Sequence, residues 1–531
     1  MVMNVQTRPD IFLIVLDTLR ADRLSCYGYS RETSPRIDTF AEEGVLFERA
    51  ISPAQWTIPS HASLFTGEYP STHMTTQIYD RHSPDHALLA EVLKREGYLT
   101  VGFCNNPLLG VVENDLDRGF DEFYNYGGAV PNRPPIVDSR PRRIGRFAQY
   151  FSRILRQISR PIQTWFARSD LLLRLALVPW IAPLWQGNIN FKGNSVLSLR
   201  DIVGYLRTRQ RRRERQPLFV FVNLMETHLP YRPLPRFIRR FAPYYRNDRE
   251  ARDFMHHYNR QHYRWMIPMT EPLTELQSRV LNDLYDAEIA YEDHLLRGLF
   301  RYLQEPGIKE NSLVFVTSDH GEGMNNHHFV GHSLVAYDDL IRVPLIVRCP
   351  RLFPSARRVS RPVSARRIFH TALEAAGVDP DRVSSQREAA PPVEVQRLSL
   401  SRALNGTDEE NEIMTEAYTP KTLITLMKNH DPRAIETFRC HLMRRAVYRD
   451  RYKLISVGDQ PDELFDMIDD PGEQHNLLDE KPDLATELYR RLETLLEEAE
   501  GRRPANWQAK QLQLEEDAAV TERLRGLGYL E

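Results

Sequence analysis

Cysteine is scarce in this 531-residue chain: there are four, Cys26, Cys104, Cys349 and Cys440. They lie far apart and form no Cys-x-x-Cys pair, so neither a disulfide framework nor a thiolate zinc site is expected. Net charge is nearly absent as well. Lys plus Arg total 70 and Asp plus Glu total 72, a formal charge of −2. That balance carries no polyanion-binding signature, and no nucleic-acid partner is expected. No apolar run reaches the roughly 18 residues of a membrane span. The run Ile11–Leu16 is too short for the apolar core of a secretory signal, so the expected location is the cytoplasm. What is present fits a folded protein: 41% hydrophobic and 27% charged residues. At about 150 residues per domain, the length suits two to four domains, or one large α/β domain with an appendage.

Short apolar runs alternate with helical patterns. Ile11–Leu16, Leu99–Cys104, Leu218–Leu224, Leu313–Thr317 and Pro344–Val347 read as buried strands. Their continuous apolar character is that of parallel strands covered on both faces. Between them, Ser34–Glu43, Ala87–Glu96, Leu197–Arg207 and Leu276–Leu303 read as helices. The order predicts an α/β sandwich with a largely parallel central sheet, whose ligands bind beyond the carboxyl ends of the strands. The stretch Arg140–Arg174 differs: it holds nine arginines and one acid, Asp170. Ile144, Phe147, Phe151, Ile154 and Ile158 follow helical spacing there. Two readings stand for it, an insertion docked on the main domain and a basic amphipathic surface touching anionic lipid. A second stretch rich in Arg, His and Tyr runs from Phe237 to Trp265, either a gate for anionic substrates or a solvated segment. The expected boundaries are a catalytic domain over 1–380 with a basic insertion at about 130–190, a connecting excursion over 381–412, and a C-terminal α+β subdomain over 413–531. The last holds a small antiparallel sheet from Glu412–Tyr418, Ala446–Tyr448 and Tyr452–Val457, and a helix over Pro482–Ala499.

Asp17 ends the first strand, and Asp319-His320-Gly321-Glu322 follows another. Carboxylate and imidazole at such turns can face one divalent cation, and Gly321 lets the chain bend. Strand-end aspartates are also ordinary helix caps. Thr57-Ile58-Pro59-Ser60-His61 places two hydroxyls and an imidazole within five residues. Thr57 or Ser60 can be a helix N-cap with Pro59 in the first turn. Equally, Thr57 can be a nucleophile at an anion-attracting helix N-terminus.

Taken together these motifs resemble the sulfatase family of the alkaline phosphatase superfamily. The landmarks run nearly the whole length: Leu-Asp-Thr-Leu-Arg-Ala-Asp-Arg-Leu at 16–24, Thr-x-Pro-Ser-His at 57–61, Glu-Thr-His-Leu-Pro-Tyr at 226–231, and Thr-Ser-Asp-His-Gly-Glu at 317–322. Gly331-His332, Asp-Pro-Gly-Glu-Gln-His-Asn-Leu at 470–477 and Leu-Gly-Tyr-Leu at 527–530 follow. The resemblance implies an alkaline-phosphatase-like sandwich and a metal site of Asp17, Asp319 and His320, joined by Thr57, which stands in the nucleophile position. His228 and His332 would face the ester or its leaving group, and His327 and Arg20 would lie at the substrate. His328 is its surface neighbour.

The chain departs from that family at informative positions. The usual nucleophile is a cysteine or serine converted to formylglycine. Thr57 cannot follow that route, because its β-carbon bears a methyl group, so no formylglycine is expected. With one hydroxyl, its covalent adduct must be cleared by water or passed to an acceptor. Threonine nucleophiles resemble those of phosphodiesterases and of phosphoethanolamine or phosphoglycerol transferases in the superfamily. One divalent metal is expected. Many sulfatases have paired aspartates where this chain has Asp17-Thr18, and a nitrogen ligand with fewer carboxylates favours Mn or Zn over Ca or Mg. The family arginine after Pro-Ser is His61, placed to orient Thr57 or bind an ester oxygen. The family's first active-site lysine has no evident counterpart. The expectation is a metal-dependent hydrolase of a sulfate or phosphate ester, on a small anionic or a glycan- or lipid-linked substrate. Of the two readings of the basic stretch, the lipid-touching one would bring peripheral membrane contact through 140–185. The alternatives are a phosphodiesterase or phosphoryl transferase, and a catalytically silent metal-binding protein.

Overall fold

The computed structural model describes residues 8–78, 80–110, 112–127, 132–134, 192–260, 265, 272–378, 397–404, 412–421, 423–424, 427 and 432–503. Its centre is a nine-stranded sheet. In chain order these strands are β1 (Asp10–Leu16), β2 (Val45–Ile51), β3 (Leu99–Cys104), β4 (Glu122–Asn125), β5 (Leu218–Leu224) and β6 (Ser312–Thr317). A two-stranded ribbon, β7 (Gly323–Met324) and β8 (Val330–Gly331), follows, and then β9 (Arg342–Arg348), β10 (Arg357–Val359) and β11 (Val363–Ser364) complete the large sheet. The spatial order is β10-β2-β9-β6-β1-β5-β3-β4, with β11 also on β2.

β1 lies at the middle, paired in parallel with β5 and β6. Its side chains alternate between two cores. Ile11, Leu13 and Val15 join one apolar cluster, and Phe12, Ile14 and Leu16 join the other. A strand buried on both faces must be apolar at every position, which is why Phe-Leu-Ile-Val-Leu reads as an unbroken run. Helix α1 (Pro35–Glu42) and the long helix α4 (Glu275–Leu303), with α3 (Ser195–Arg212), cover one face. Helix α2 (Thr57–Thr66) packs into the other through Ile58, Ala62, Leu64 and Phe65. The start of α4 is set by a capping box: Gln277 N donates to Thr274 Oγ1 at 3.3 Å, and Thr274 N donates to Gln277 Oε1 at 3.0 Å.

One strand corrects the sequence reading. Pro344–Val347 lies in β9, which runs antiparallel to both β2 and β6. Burial on both faces, and not the direction of pairing, produces its apolar run. Phe237–Trp265 contributes two helices, Pro235–Phe241 and Arg249–Arg260. Phe237, Phe241, Phe254, Met255 and Tyr258 turn inward, and Arg236, Arg239, Arg246 and Arg249 turn out.

A second, antiparallel sheet has the order β12 (Glu412–Ala417), β13 (Arg444–Arg449), β14 (Tyr452–Val457) and β15 (Gln460–Asp466). Helix α5 (Pro482–Gly501) covers it with Ala485, Leu488 and Leu492. It is stitched to the large sheet beside α2: Thr415 Oγ1 donates to Ser52 O at 2.8 Å, and Glu416 N donates to Pro53 O at 2.9 Å. Among the described residues no helix is long and apolar enough to cross a membrane. The basic stretch Arg140–Arg174, residues 140–185 read for membrane contact, residues 381–396 and 405–411 of the excursion over 381–412, and the motif at 527–530 lie outside the described residues.

Candidate active site

The carboxyl ends of β1 and β6 deliver the first acidic groups. Asp17 follows β1 directly, and Asp319 and His320 follow β6. One ligand atom from each of the three lies within 4.8 Å of the others, and all three residues are buried. Asp17 Oδ2 accepts hydrogen bonds from Asn106 Nδ2 at 2.7 Å and Asn223 Nδ2 at 3.3 Å. Its Oδ1 has no partner. Asp319 Oδ1 accepts from His320 N at 3.0 Å and Thr18 N at 3.3 Å, while Asp319 Oδ2 is left without a hydrogen bond. His320 Nδ1 lies 2.9 Å from Gly321 O, so it carries the proton and leaves Nε2 as a lone pair. Burial lowers the His320 pKa to about 4, which keeps the ring neutral and ready to ligate. Burial, then the neighbouring Asp319 charge, pushes the Asp17 carboxyl well above its ordinary range. Two unpartnered carboxylate oxygens and a neutral imidazole facing one point are a donor set suited to a divalent cation.

The turn is held tightly. A Cβ on Gly321 would sit 2.0 Å from Asp339 O, so close approach of the backbone is what requires glycine there. Thr18 adopts a left-handed φ of 61°, unusual for a β-branched residue. Tyr285 pins it, donating to Thr18 O at 2.7 Å and accepting from Arg20 N at 3.0 Å.

Thr57 is the first residue of α2, and Trp56 is the N-cap. Neither Thr57 nor Ser60 caps the helix, which corrects the structural reading of this motif. Ser60 Oγ donates to Asp319 O at 2.6 Å, tying α2 to the acidic turn. Thr57 Oγ1 is 3.3 Å from His320 Nε2. The hydroxyl thus stands at the positive end of a helix and beside the cluster. His61 lies one turn on, its Nδ1 2.9 Å from Thr57 O and 3.4 Å from Asp319 Oδ2. Its ring meets Phe65 and Phe221 edge-on, each at 5.9 Å. That core-side setting suits holding the first turn of α2 more than touching an ester.

Two more histidines close the site. The His332 ring lies 4.6 Å from that of His320 and 5.0 Å from that of His228. His332 Nδ1 is 2.9 Å from Glu322 Oε1, and Tyr231 OH donates to Glu322 Oε2 at 3.1 Å. His332 Nε2 is buried without a partner. Burial, then His332, holds the pKa of His228 well below the ordinary value. Lys192 brings a buried ammonium, donating to Glu226 O at 2.7 Å and Glu288 Oε1 at 3.0 Å. Nothing local in the sequence marks Lys192, Asn106 or Tyr285. Each reaches the site through contacts between distant segments. An amide within the apolar run of β5 was the one readable signal, at Asn223.

Two expected substrate residues are engaged by protein partners. Arg20 is 1% exposed, and its guanidinium donates to Asp22 at 2.7 and 2.8 Å, Asp339 at 2.5 Å and Glu322 O at 3.1 Å. Its donors are committed to protein partners, which makes it a brace for the loop carrying Glu322. His327 stacks on Tyr337 with ring centroids 3.8 Å apart, and Tyr337 OH donates to Glu463 of the second sheet at 2.9 Å.

This fold has close structural counterparts. A phosphonate monoester hydrolase of Agrobacterium radiobacter superposes with a TM-score of 0.63 at 20% identity, covering 93% of this chain and 96% of that one. A putative sulfatase from Bacteroides thetaiotaomicron gives 0.61 at 16%, covering 93% of each. They define the class: an alkaline-phosphatase-like α/β sandwich. Residues 9–378 match the sequence profile of the Sulfatase family, and the chain belongs to that family of ester hydrolases. Among its relatives, the uncharacterized sulfatase YidJ of Escherichia coli is 24% identical over 487 residues, covering 89% of this chain and 84% of that protein. The ulvan-active sulfatase of Formosa agariphila is 23% identical over 496 residues, covering 90% and 79%.

Proposed function

We propose that the chain hydrolyses a phosphate-type anionic ester, with Thr57 as the nucleophile. The observation that supports this is the Thr57 hydroxyl at the N-terminus of α2, 3.3 Å from His320 Nε2 and beside the buried carboxylates. Asp17, Asp319 and His320, with Thr57, would hold one divalent cation, Mn or Zn before Ca. When bound, it supplies positive charge that favours the deprotonated threonine oxygen and an anionic ester.

Thr57 Oγ attacks phosphorus in line. The Oγ–P bond forms as the bond from phosphorus to the ester oxygen breaks. The proton that Thr57 releases passes to the neutral imidazole of His332 or His228, which hands it on to the departing oxygen, so an alcohol leaves. Glu322 holds His332 Nδ1 and so aims Nε2 inward. His61 fixes the carbonyl of Thr57 and thereby the first turn of α2. Water then attacks phosphorus, the Oγ–P bond breaks, and Thr57 recovers its proton. If an alcohol replaces water in that second step, the same residues run a phosphoryl transfer.

The phosphoryl preference rests on threonine having one hydroxyl, which leaves no second oxygen to expel a sulfate by C–O cleavage. The experiment is a side-by-side assay of aryl sulfate, aryl phosphate monoester, aryl phosphonate monoester and phosphodiester, with Mn, Zn, Mg and Ca in turn. Because one relative is an ulvan-active sulfatase, ulvan belongs in the set as a sulfated glycan. Faster turnover of a phosphoryl substrate is expected. A sulfate ester as the faster substrate would overturn the preference.

A further inference from the structure

Each carboxylate of the cluster offers it one oxygen, and hydrogen bonds enforce this. For Asp319 the other oxygen is taken by backbone N–H groups of Thr18 and His320. For Asp17 it is taken by two side-chain amides. Asn106 Nδ2 and Asn223 Nδ2 both donate to Oδ2, at 2.7 and 3.3 Å, and Oδ1 alone is left unpartnered.

The two amides cannot turn over. Asn106 Oδ1 accepts from Leu108 N at 2.9 Å, and Asn223 Oδ1 accepts from Asn106 N at 3.1 Å. A flip of either would set oxygen against the Asp17 carboxylate and N–H against N–H. Both residues are 0% exposed. Asn223 is anchored in β5, where its neighbours across the ladder are Val15 and Cys104. Buried amides of fixed orientation in an otherwise apolar strand are costly unless each polar atom is paired; here they are paired with one another and with Asp17.

We propose that Asn106 and Asn223 are positioning residues that hold Asp17 as a single-oxygen ligand and so bias the site against calcium. Calcium takes six to eight oxygens and commonly binds carboxylates through both. Manganese and zinc accept a nitrogen ligand and one oxygen per carboxylate. Releasing Oδ2 gives the site back a two-oxygen carboxylate, the feature that calcium uses most. The inference rests on the one-metal reading above and adds the residues that select among metals.

The test is calorimetric titration of metal-stripped protein with Mn2+ and with Ca2+, for wild type, Asn106→Ala and Asn223→Ala. Outer partners of metal ligands alter affinity by about 10–100-fold. The expected result is a ratio of calcium to manganese affinity that rises about tenfold or more in either variant. A ratio that stays put, whether both affinities fall together or neither moves, overturns the proposal, because a purely structural role lowers both alike. Wild-type crystals soaked in Mn2+ and in Ca2+ keep the question open to refutation if a variant does not fold. Asp17 bound through Oδ1 alone in both is expected, and Asp17 bound through both oxygens refutes the clamp. Wild-type protein that binds neither cation would remove the one-metal reading itself, and the clamp with it.

Discussion

Replacing Asp17 with Asn separates the cost of the site from its use. In metal-stripped protein, Asp17 and Asp319 are fully buried carboxylates on one small cluster. Burial and mutual repulsion raise the Asp17 pKa well above the ordinary value. An Asn at 17 removes one charge and keeps an acceptor oxygen for Asn106 and Asn223. Relief of a poorly compensated buried group is worth about 1–3 kcal/mol, so stripped Asp17→Asn should melt above stripped wild type. The sign with pH follows from the raised pKa. That penalty is absent below the ordinary carboxylate pKa and grows as pH rises, so the advantage of Asn should be larger at pH 8 than at pH 5. Adding metal reverses the order. A ligand at 100 times its Kd stabilises the folded form by about 2.7 kcal/mol, and only wild type should receive it in full. The assay is thermal melting in chelator and then in Mn2+, at both pH values. A stripped variant that melts below wild type, or equal gains from metal, would refute the reasoning.

Two further outcomes follow from the packing. Gly321→Ala places a Cβ 2.0 Å from Asp339 O; overpacking of this kind costs about 1–3 kcal/mol. The variant should fold with a lowered melting temperature and weakened Mn2+ binding, and wild-type metal affinity would show that the turn does not position His320. His73 is buried under α2, with Nε2 3.0 Å from Ser63 Oγ and Nδ1 accepting from Thr75 N at 3.1 Å. Burial, then His86, lowers its pKa to about 3. Its contribution is therefore present above the ordinary histidine pKa and is lost as pH falls toward 3, by about 2 kcal/mol at pH 5. In His73→Gln, whose amide can donate and accept in the same place, the denaturation midpoint should fall less between pH 6.5 and 5; an unchanged slope would contradict this.

Much of the frame was legible because burial on both faces writes itself into sequence. Leu99–Cys104 and Leu218–Leu224 are strands with those limits, and Asp17, Asp319 and His320 stand at strand ends as read. β2 escaped notice because Glu48 and Arg49 interrupt its apolar run, and β4 because Glu122 and Asn125 leave it only two apolar positions. Direction was not legible at all: β9 runs antiparallel to both of its neighbours, yet it carries a buried apolar run like those of the parallel strands β1 and β5. Within the site, the residues recognised were those carried by local motifs. Those missed act across the chain: Asn106 meets Asp17 over 89 positions and Tyr285 meets Thr18 over 267. Arg20 was expected at the substrate, and His61 to orient Thr57 or bind an ester oxygen; their partners favour a brace for the first and the orienting role for the second. For Arg20, Asp22 and Asp339 already occupy the guanidinium; for His61, the ring turns to Phe65 and Phe221.

The central claim is that Thr57 forms the covalent bond to substrate. The most direct measurement is rapid acid quench of metal-replete protein during turnover of an aryl phosphodiester, followed by peptide mass mapping. One phosphoryl adduct is expected on the peptide containing Thr57, formed within the first turnover and missing in an inactive Thr57→Ala variant. Full activity in Thr57→Ala, or turnover with the adduct on another residue, would contradict it.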